Sequence, residues 1–161
     1  KVRPDLSLRR SIIVPAEIKR DAKKAEIAML AVLLDGSGNY ADIVRRALPL
    51  EEIKSSSVRD IVNMILLLRR ENKEINAARL MNHFGSGSEA TSLISEAVNV
   101  LDSLDDKEKA LYDCILRIKK DNIKDRLTMI QEAIRMAHSQ KDEVKVKELV
   151  AEYNSLVRLN K

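Results

Sequence analysis

From Asp105 to Lys161 the chain contains neither glycine nor proline, and this constrains the fold more than any motif in it. Those two residues are the usual punctuation of helices. A stretch this long without either, rich in Leu, Ile, Lys and Glu, is therefore expected to be helical almost throughout. Asp105 and Asp106 stand where a helix start favours acidic side chains, and helical spacing continues to about His138. The one plausible break is HSQKD, after which DEVKVKELVAEYNSLVRLNK is again helical. A long helix, a tight polar turn and a helix of about five turns make an antiparallel helical hairpin.

Apolar spacing assigns faces to the two arms. In the second arm Val146, Leu149, Tyr153 and Leu156 step by three, four and three, and in the first arm Ile123, Leu127, Ile130, Ile134 and Ala137 keep the same rhythm. Matching seams of this kind suit two helices packed on each other. Upstream, Leu111, Ile115 and Ile118 also follow it, but the next position in phase is Asn122 and the stripe resumes at Ile123. One residue of slip turns the buried face by about 100°. The spacing predicts a joint there, with Lys120, Asp121, Asn122 and Ile123 as a hinge at which the helix bends or breaks.

The first hundred residues are punctuated differently. PAEIKRDAKKAEIAMLAVLLDG opens on a proline suited to a first helical turn and closes on Asp35-Gly36, with Ile18, Ala22, Ala25, Met29, Val32 and Leu33 at helical spacing. YADIVRRAL is a short helix stopped by Pro49. Ser56 and Ser57 offer caps for VRDIVNMILLLRRENK, whose apolar residues cover most of its circumference and predict a position at the bundle centre. INAARLMNHF ends at Gly85, and Ser88 caps SEATSLISEAVNVLDS. About five short helices are expected before the long one. The division reads as a linker end over 1–14, a helical bundle over 15–121 and a helical hairpin over 122–161.

Composition agrees with an all-α fold. The chain is 161 residues long, 45% hydrophobic and 34% charged, with one Phe, three Tyr and no Trp, which is poor material for strands. Its formal charge of +4 is spread along the chain rather than gathered in a block, so direct nucleic-acid binding is not expected. The lone Cys114 excludes a disulfide framework and suits a reducing cytoplasm. No apolar run reaches the length of a membrane span. The first residue is Lys, so the chain reads as a piece of a larger protein.

Residues able to carry chemistry are scarce. His83 and His138 lack a second ligand at zinc-site spacing, and Cys114 sits beside the stripe of Leu111, Ile115 and Ile118 as a packing residue. HFGSGSEAT and DGSGNY lack the lysine and the preceding strand of a phosphate loop and read as turns. The basic pairs Arg9-Arg10, Arg45-Arg46, Arg69-Arg70 and Lys119-Lys120 have no interleaved aromatics and read as solvated helix faces. No catalytic or metal constellation is assembled, so catalysis and a small-molecule substrate are not expected of this chain. What remains is a surplus of apolar residues on the hairpin. Val150 and Val157 lie roughly 60 to 80° from the centre of their seam, and Met129 and Met136 further round. Such residues suit a partner surface.

ALYDCILRIKKDNIKDRLTMIQEAIRMAHSQKDEVKVKELVAEYNSLVRLNK, with KELVAEYNSLVRL near its end, resembles the C-terminal end of bacterial DnaG-type DNA primases. AEIAMLAVLLDGSGNYADIVRRALPLEEIKSSSVRDIVNMI is similar to the bundle that precedes it in that family, so the resemblance runs from about Ala16 onward. It implies a noncatalytic helicase-binding domain whose hairpin docks on the hexameric DnaB-type replicative helicase. It also implies a parent enzyme with zinc-binding and magnesium-dependent RNA-polymerising domains upstream, and no cofactor in this chain. On physical grounds the docking face is the outward side of the last helix, with Val150, Tyr153, Asn154, Val157 and Arg158, supported by Met129 and Met136. Two other readings fit the same periodicity: the N-terminal domain of a replicative helicase, and a helical adaptor with another partner. A hairpin of this kind is also able to exchange between two chains as a domain-swapped dimer.

Overall fold

The computed structural model describes residues 23–37 and 39–161. Every regular element among them is helical, as the composition requires. In chain order they are α1 (Lys24–Leu34), α2 (Tyr40–Ala47), a single 3-10 turn (Leu50–Glu52), α3 (Ser56–Arg70), α4 (Ala77–Phe84), α5 (Glu89–Leu101), α6 (Lys107–Ser139) and α7 (Glu143–Leu159). The expected linker end and the helix start at Pro15, with Ile18 and Ala22, lie outside the described residues. Among these residues Lys23 is extended, so α1 begins at Lys24.

The first compact unit ends at Ile115. Its centre is α1, not α3 as the sequence suggests. From Glu26 to Leu34 every residue of α1 except Ala28 is buried, and the helix packs most extensively on α5, with α3 and α2 also against it. α3 buries one side, through Val58, Ile61, Val62, Ile65 and Leu68, and leaves Leu66 and Leu67 partly exposed. The difference is physical. A run of Leu, Ile and Val meets a helix's geometric need for burial only where neighbours exist on every side, and the spare leucines of α3 face a helix, α2, of only eight residues.

Among the described residues Glu26 is the one acidic side chain in this core, 2% exposed. Burying a carboxylate is costly unless hydrogen bonds replace its water. Two backbone amides do so: Lys23 N–H at 3.3 Å, at the start of the same helix, and Lys54 N–H at 2.9 Å, in the loop entering α3. The carboxylate thereby caps α1 and fastens a loop 28 residues further along. That loop carries the buried Ile53, whose carbonyl accepts from Arg59 Nε at 3.2 Å and Nη2 at 3.1 Å. It also carries the cap of α3, which is the buried Ser55, accepting from Val58 N–H, rather than Ser56 or Ser57.

Asn76 and Ser88 cap α4 and α5. Gly36, at the end of α1, has φ +70, and a Cβ there would stand 2.6 Å from the Ile75 carbonyl oxygen. Only glycine allows that approach. Just before it, Asp35 Oδ1 meets Lys107 Nζ at 2.8 Å, which joins the end of α1 to the start of α6. Hydrogen bonds from Lys107 and then Ser37 hold the Asp35 carboxyl below its ordinary value, and the same hydrogen bond to Asp35 raises Lys107.

The second unit runs from Leu116 to Lys161. It consists of the remainder of α6, a turn over residues 140–142, and α7. Lys141 adopts φ +57, and Lys141 N–H and Asp142 N–H return to the carbonyls of His138 and Ala137. Asp142 then caps α7 by accepting from Lys145 N–H at 3.1 Å. The polar HSQKD stretch thus supplies both the end of one helix and the cap of the next. No break occurs at Lys120, Asp121, Asn122 or Ile123, because α6 is helical through all four. Its backbone hydrogen bonds are indifferent to which face the side chains bury, and Asp121 pairs along the helix with Arg117 Nε at 3.5 Å. The division between units falls after Ile115, earlier than the slip at Asn122. Periodicity marks where the buried face turns, whereas compactness follows which residues pack together.

Stability measurements at three sites check these contacts. Glu26→Ala strands two amides and is expected to cost about 3 kcal/mol by urea unfolding, while Glu26→Gln, which retains an acceptor, costs less. Gly36→Ala is expected to lose about 1–3 kcal/mol through strain and overlap. For the Asp35–Lys107 pair, a lowered carboxylate contributes its full stability above the unfolded pKa and loses it as pH falls through the folded value. A raised lysine contributes fully below its unfolded pKa and loses it as pH rises through its folded value. Asp35→Asn should therefore lower stability at about pH 7, and the difference should shrink as pH falls through the lowered folded value of Asp35.

Candidate functional site

The described residues contain no group of three or more His, Cys, Asp or Glu able to hold a metal ion. His83 stacks edge-on against Phe84 with ring centroids 4.9 Å apart, and His138 lies exposed beside the turn before α7. Cys114 is buried, and burial, with a smaller contribution from Asp113, pushes its thiol up. It is a packing residue rather than a nucleophile. Among the described residues no helix is long and apolar enough to cross a membrane.

The strongest candidate is the surface of the second unit. Its seam follows the sequence spacing. Ile130 and Ala137 are buried on α6, and Ile123, Leu127 and Ile134 are partly so, as are Val146, Leu149, Tyr153 and Leu156 on α7. No residue of α7 is fully buried. Two polar links join the helices. Arg126 Nε donates to Glu152 Oε1 at 3.2 Å, and Gln131 Nε2 donates to the Tyr153 hydroxyl at 3.0 Å.

These links fix which flank each exposed residue occupies. Arg126 and Gln131 are five positions apart, about 140° around α6, and so lie on opposite sides of its seam. The Arg126–Glu152 pair marks one flank and the Gln131–Tyr153 pair the other. Val150 and Val157 stand three before and four after Tyr153 and share its flank, with Asn154 and Arg158 further round. Met129 stands three after Arg126, with Met136 two turns on, and so belongs to the opposite flank. Met129 is 68% exposed, Met136 55% and Val150 39%, while Tyr153 and Val157 are half-buried.

The structure thus brings together Val150, Tyr153, Asn154, Val157 and Arg158, and it separates Met129 and Met136 from them. The wheel of each arm is readable in sequence, but joining the two wheels required the cross-links. Tyr153 does serve both roles expected of it, with its ring along the seam and its hydroxyl at the edge. Val144 and Leu159, both about seven-tenths exposed near the ends of α7, are further apolar residues outside the three-and-four spacing of the seam.

A second feature lies on the first unit. Arg45, Arg69 and Arg70, which read in sequence as solvated helix faces, line one groove between α2 and α3. The available signal was their placement in the last turns of two helices near each other in the chain.

Comparison of the chain with protein-family models, curated proteins and solved structures returns no match. The expected burial of Cys114 yields its own test. A thiol reagent should label it many times more slowly in the native protein than in urea at the same pH. Equal rates would mean that the thiol is accessible and not held in the packing.

Proposed function

We propose that this chain is a noncatalytic helicase-binding domain of a DnaG-type DNA primase, attaching primase to a hexameric DnaB-type helicase through the pair α6 and α7. The observation that carries the reading is the apolar flank of α7, exposed at Val150 and half-buried at Tyr153 and Val157. Val150 and Val157 flank Tyr153, beside a seam formed by Ile130 and Ala137 of α6 with Val146, Leu149 and Leu156 of α7. Apolar residues beside such a seam suit a protein partner, and an adaptable methionine pair on the opposite flank suits contact with a second element of that partner. The resemblance of KELVAEYNSLVRL and of the bundle sequence to the primase family supplies the identity of the partner. In this reading the parent enzyme performs its zinc- and magnesium-dependent steps in other domains, and this domain contributes attachment alone.

The test is direct. The 161-residue chain is mixed with a hexameric replicative helicase and followed by size-exclusion chromatography with light scattering. Co-elution at micromolar concentration is expected. Val150→Asp with Val157→Asp should weaken it by about 2 kcal/mol or more, with circular dichroism unchanged. Met129→Asp with Met136→Asp should have a smaller effect if the α7 stripe is the principal contact. Failure of the unsubstituted chain to co-elute would favour an adaptor with another partner.

A further inference from the structure

The groove between α2 and α3 has a cavity volume of about 690 Å³, within the range of roughly 300–1,000 Å³ typical of small-molecule sites. Its composition is uneven. Leu66 and Leu67, each partly exposed, give an apolar floor, and Arg45, Arg69 and Arg70 supply three guanidinium groups against the single carboxylate of Asp42. Arg69 Nη2 is held by Asp42 at 3.2 Å. That pair is internally neutral and braces α3 against α2. Arg45 and Arg70 are both exposed, and the charge of Arg70 also acts on the neighbouring Glu71, after Lys73 a lesser cause holding that carboxyl below its ordinary value. Asn63 and Asn72 add two carboxamides, each able to donate and accept.

Placement of the basic residues in the final turns of α2 and α3 accounts for part of this pattern, because cations stabilise helix C-termini. It does not account for the two leucines left half-open between them, nor for the carboxamides at both ends of the floor. The lining spans one turn of α2 and about two turns of α3, on the order of 10 Å. An extended peptide would find only about three residues' worth of surface there. A compact ligand fits better, and guanidinium groups match phosphate oxygens in a two-pronged geometry.

We propose that this groove binds a nucleoside polyphosphate, with the phosphates on Arg45 and Arg70 and the nucleoside over Leu66 and Leu67, where Asn63 and Asn72 meet its polar edges. The proposal stands apart from the helicase reading and concerns the other unit of the chain. Its test is calorimetric titration of the whole chain, at low salt and without magnesium, with ATP and with GTP. Saturable binding of one molecule per chain is expected. Arg45→Gln with Arg70→Gln should weaken it about tenfold or more, while circular dichroism and helicase co-elution stay unchanged. Adenosine should not bind measurably, and inorganic pyrophosphate should bind about tenfold more weakly than either nucleotide. The proposal is overturned if neither nucleotide saturates by millimolar concentration, or if the double substitution leaves binding unchanged. Pyrophosphate binding as tightly as ATP would also overturn it, as would displacement of ATP by an equal concentration of a hexaglutamate peptide.

Discussion

The first unit depends on burying α1 on nearly every side. A helix surrounded in this way has no solvent face to orient it, so its position must come from its ends. At its start the Glu26 carboxylate accepts from the Lys23 amide and from the Lys54 amide, 28 residues away. At its end Gly36 lets the chain pass close to the Ile75 carbonyl, while Asp35 meets Lys107. Polar contacts at both termini fix a helix whose middle is held only by nondirectional apolar packing. The same contacts set the loop before α3 and the first residue of α6, so the path of three other segments follows from them.

The second unit is built on a thinner principle. Two helices share one seam, with Ile130 and Ala137 as its buried residues on α6 and none fully buried on α7. A seam this narrow buries little apolar surface, and Arg126–Glu152 and Gln131–Tyr153 add orientation more than energy, because exposed ion pairs contribute little. Such a pair exposes most of its circumference. A partner surface therefore does not have to be created on it, only furnished with apolar residues, and Val150 and Val157 do that on one flank. The proposed role in attachment draws on this exposed flank of α7.

The two units show how charge can carry different meanings in one chain. On α6 and α7 basic and acidic residues are interspersed, and Arg117, Arg126 and Arg135 pair along or between the helices with Asp121, Glu152 and Glu132. Between α2 and α3 the cations outnumber the carboxylates around an apolar floor. Net charge hides this distinction, since +4 over the chain describes neither surface. Only the meeting of two helix ends concentrates it.

The sequence by itself determined the helices. The absence of Gly and Pro beyond Asp105, the cap at Ser88, the polar break at HSQKD and the stop at Gly85 are local signals, and local hydrogen bonding makes them readable. It also determined the seam of the helix pair, because a repeat of three and four residues selects one face whatever lies opposite. Tertiary structure alone decided which helix is central, since α1 and α3 are both strongly apolar and only the number of neighbours tells them apart. It decided that Ser55 rather than Ser56 caps α3, because the loop is placed by a carboxylate far away in sequence. It kept α6 helical through Asn122, where the apolar stripe changes phase, because side-chain phase does not constrain backbone hydrogen bonds. It set Met129 and Met136 on the flank away from Val150 and Val157, because an angle around one helix has no meaning for another until cross-links such as Gln131–Tyr153 relate them.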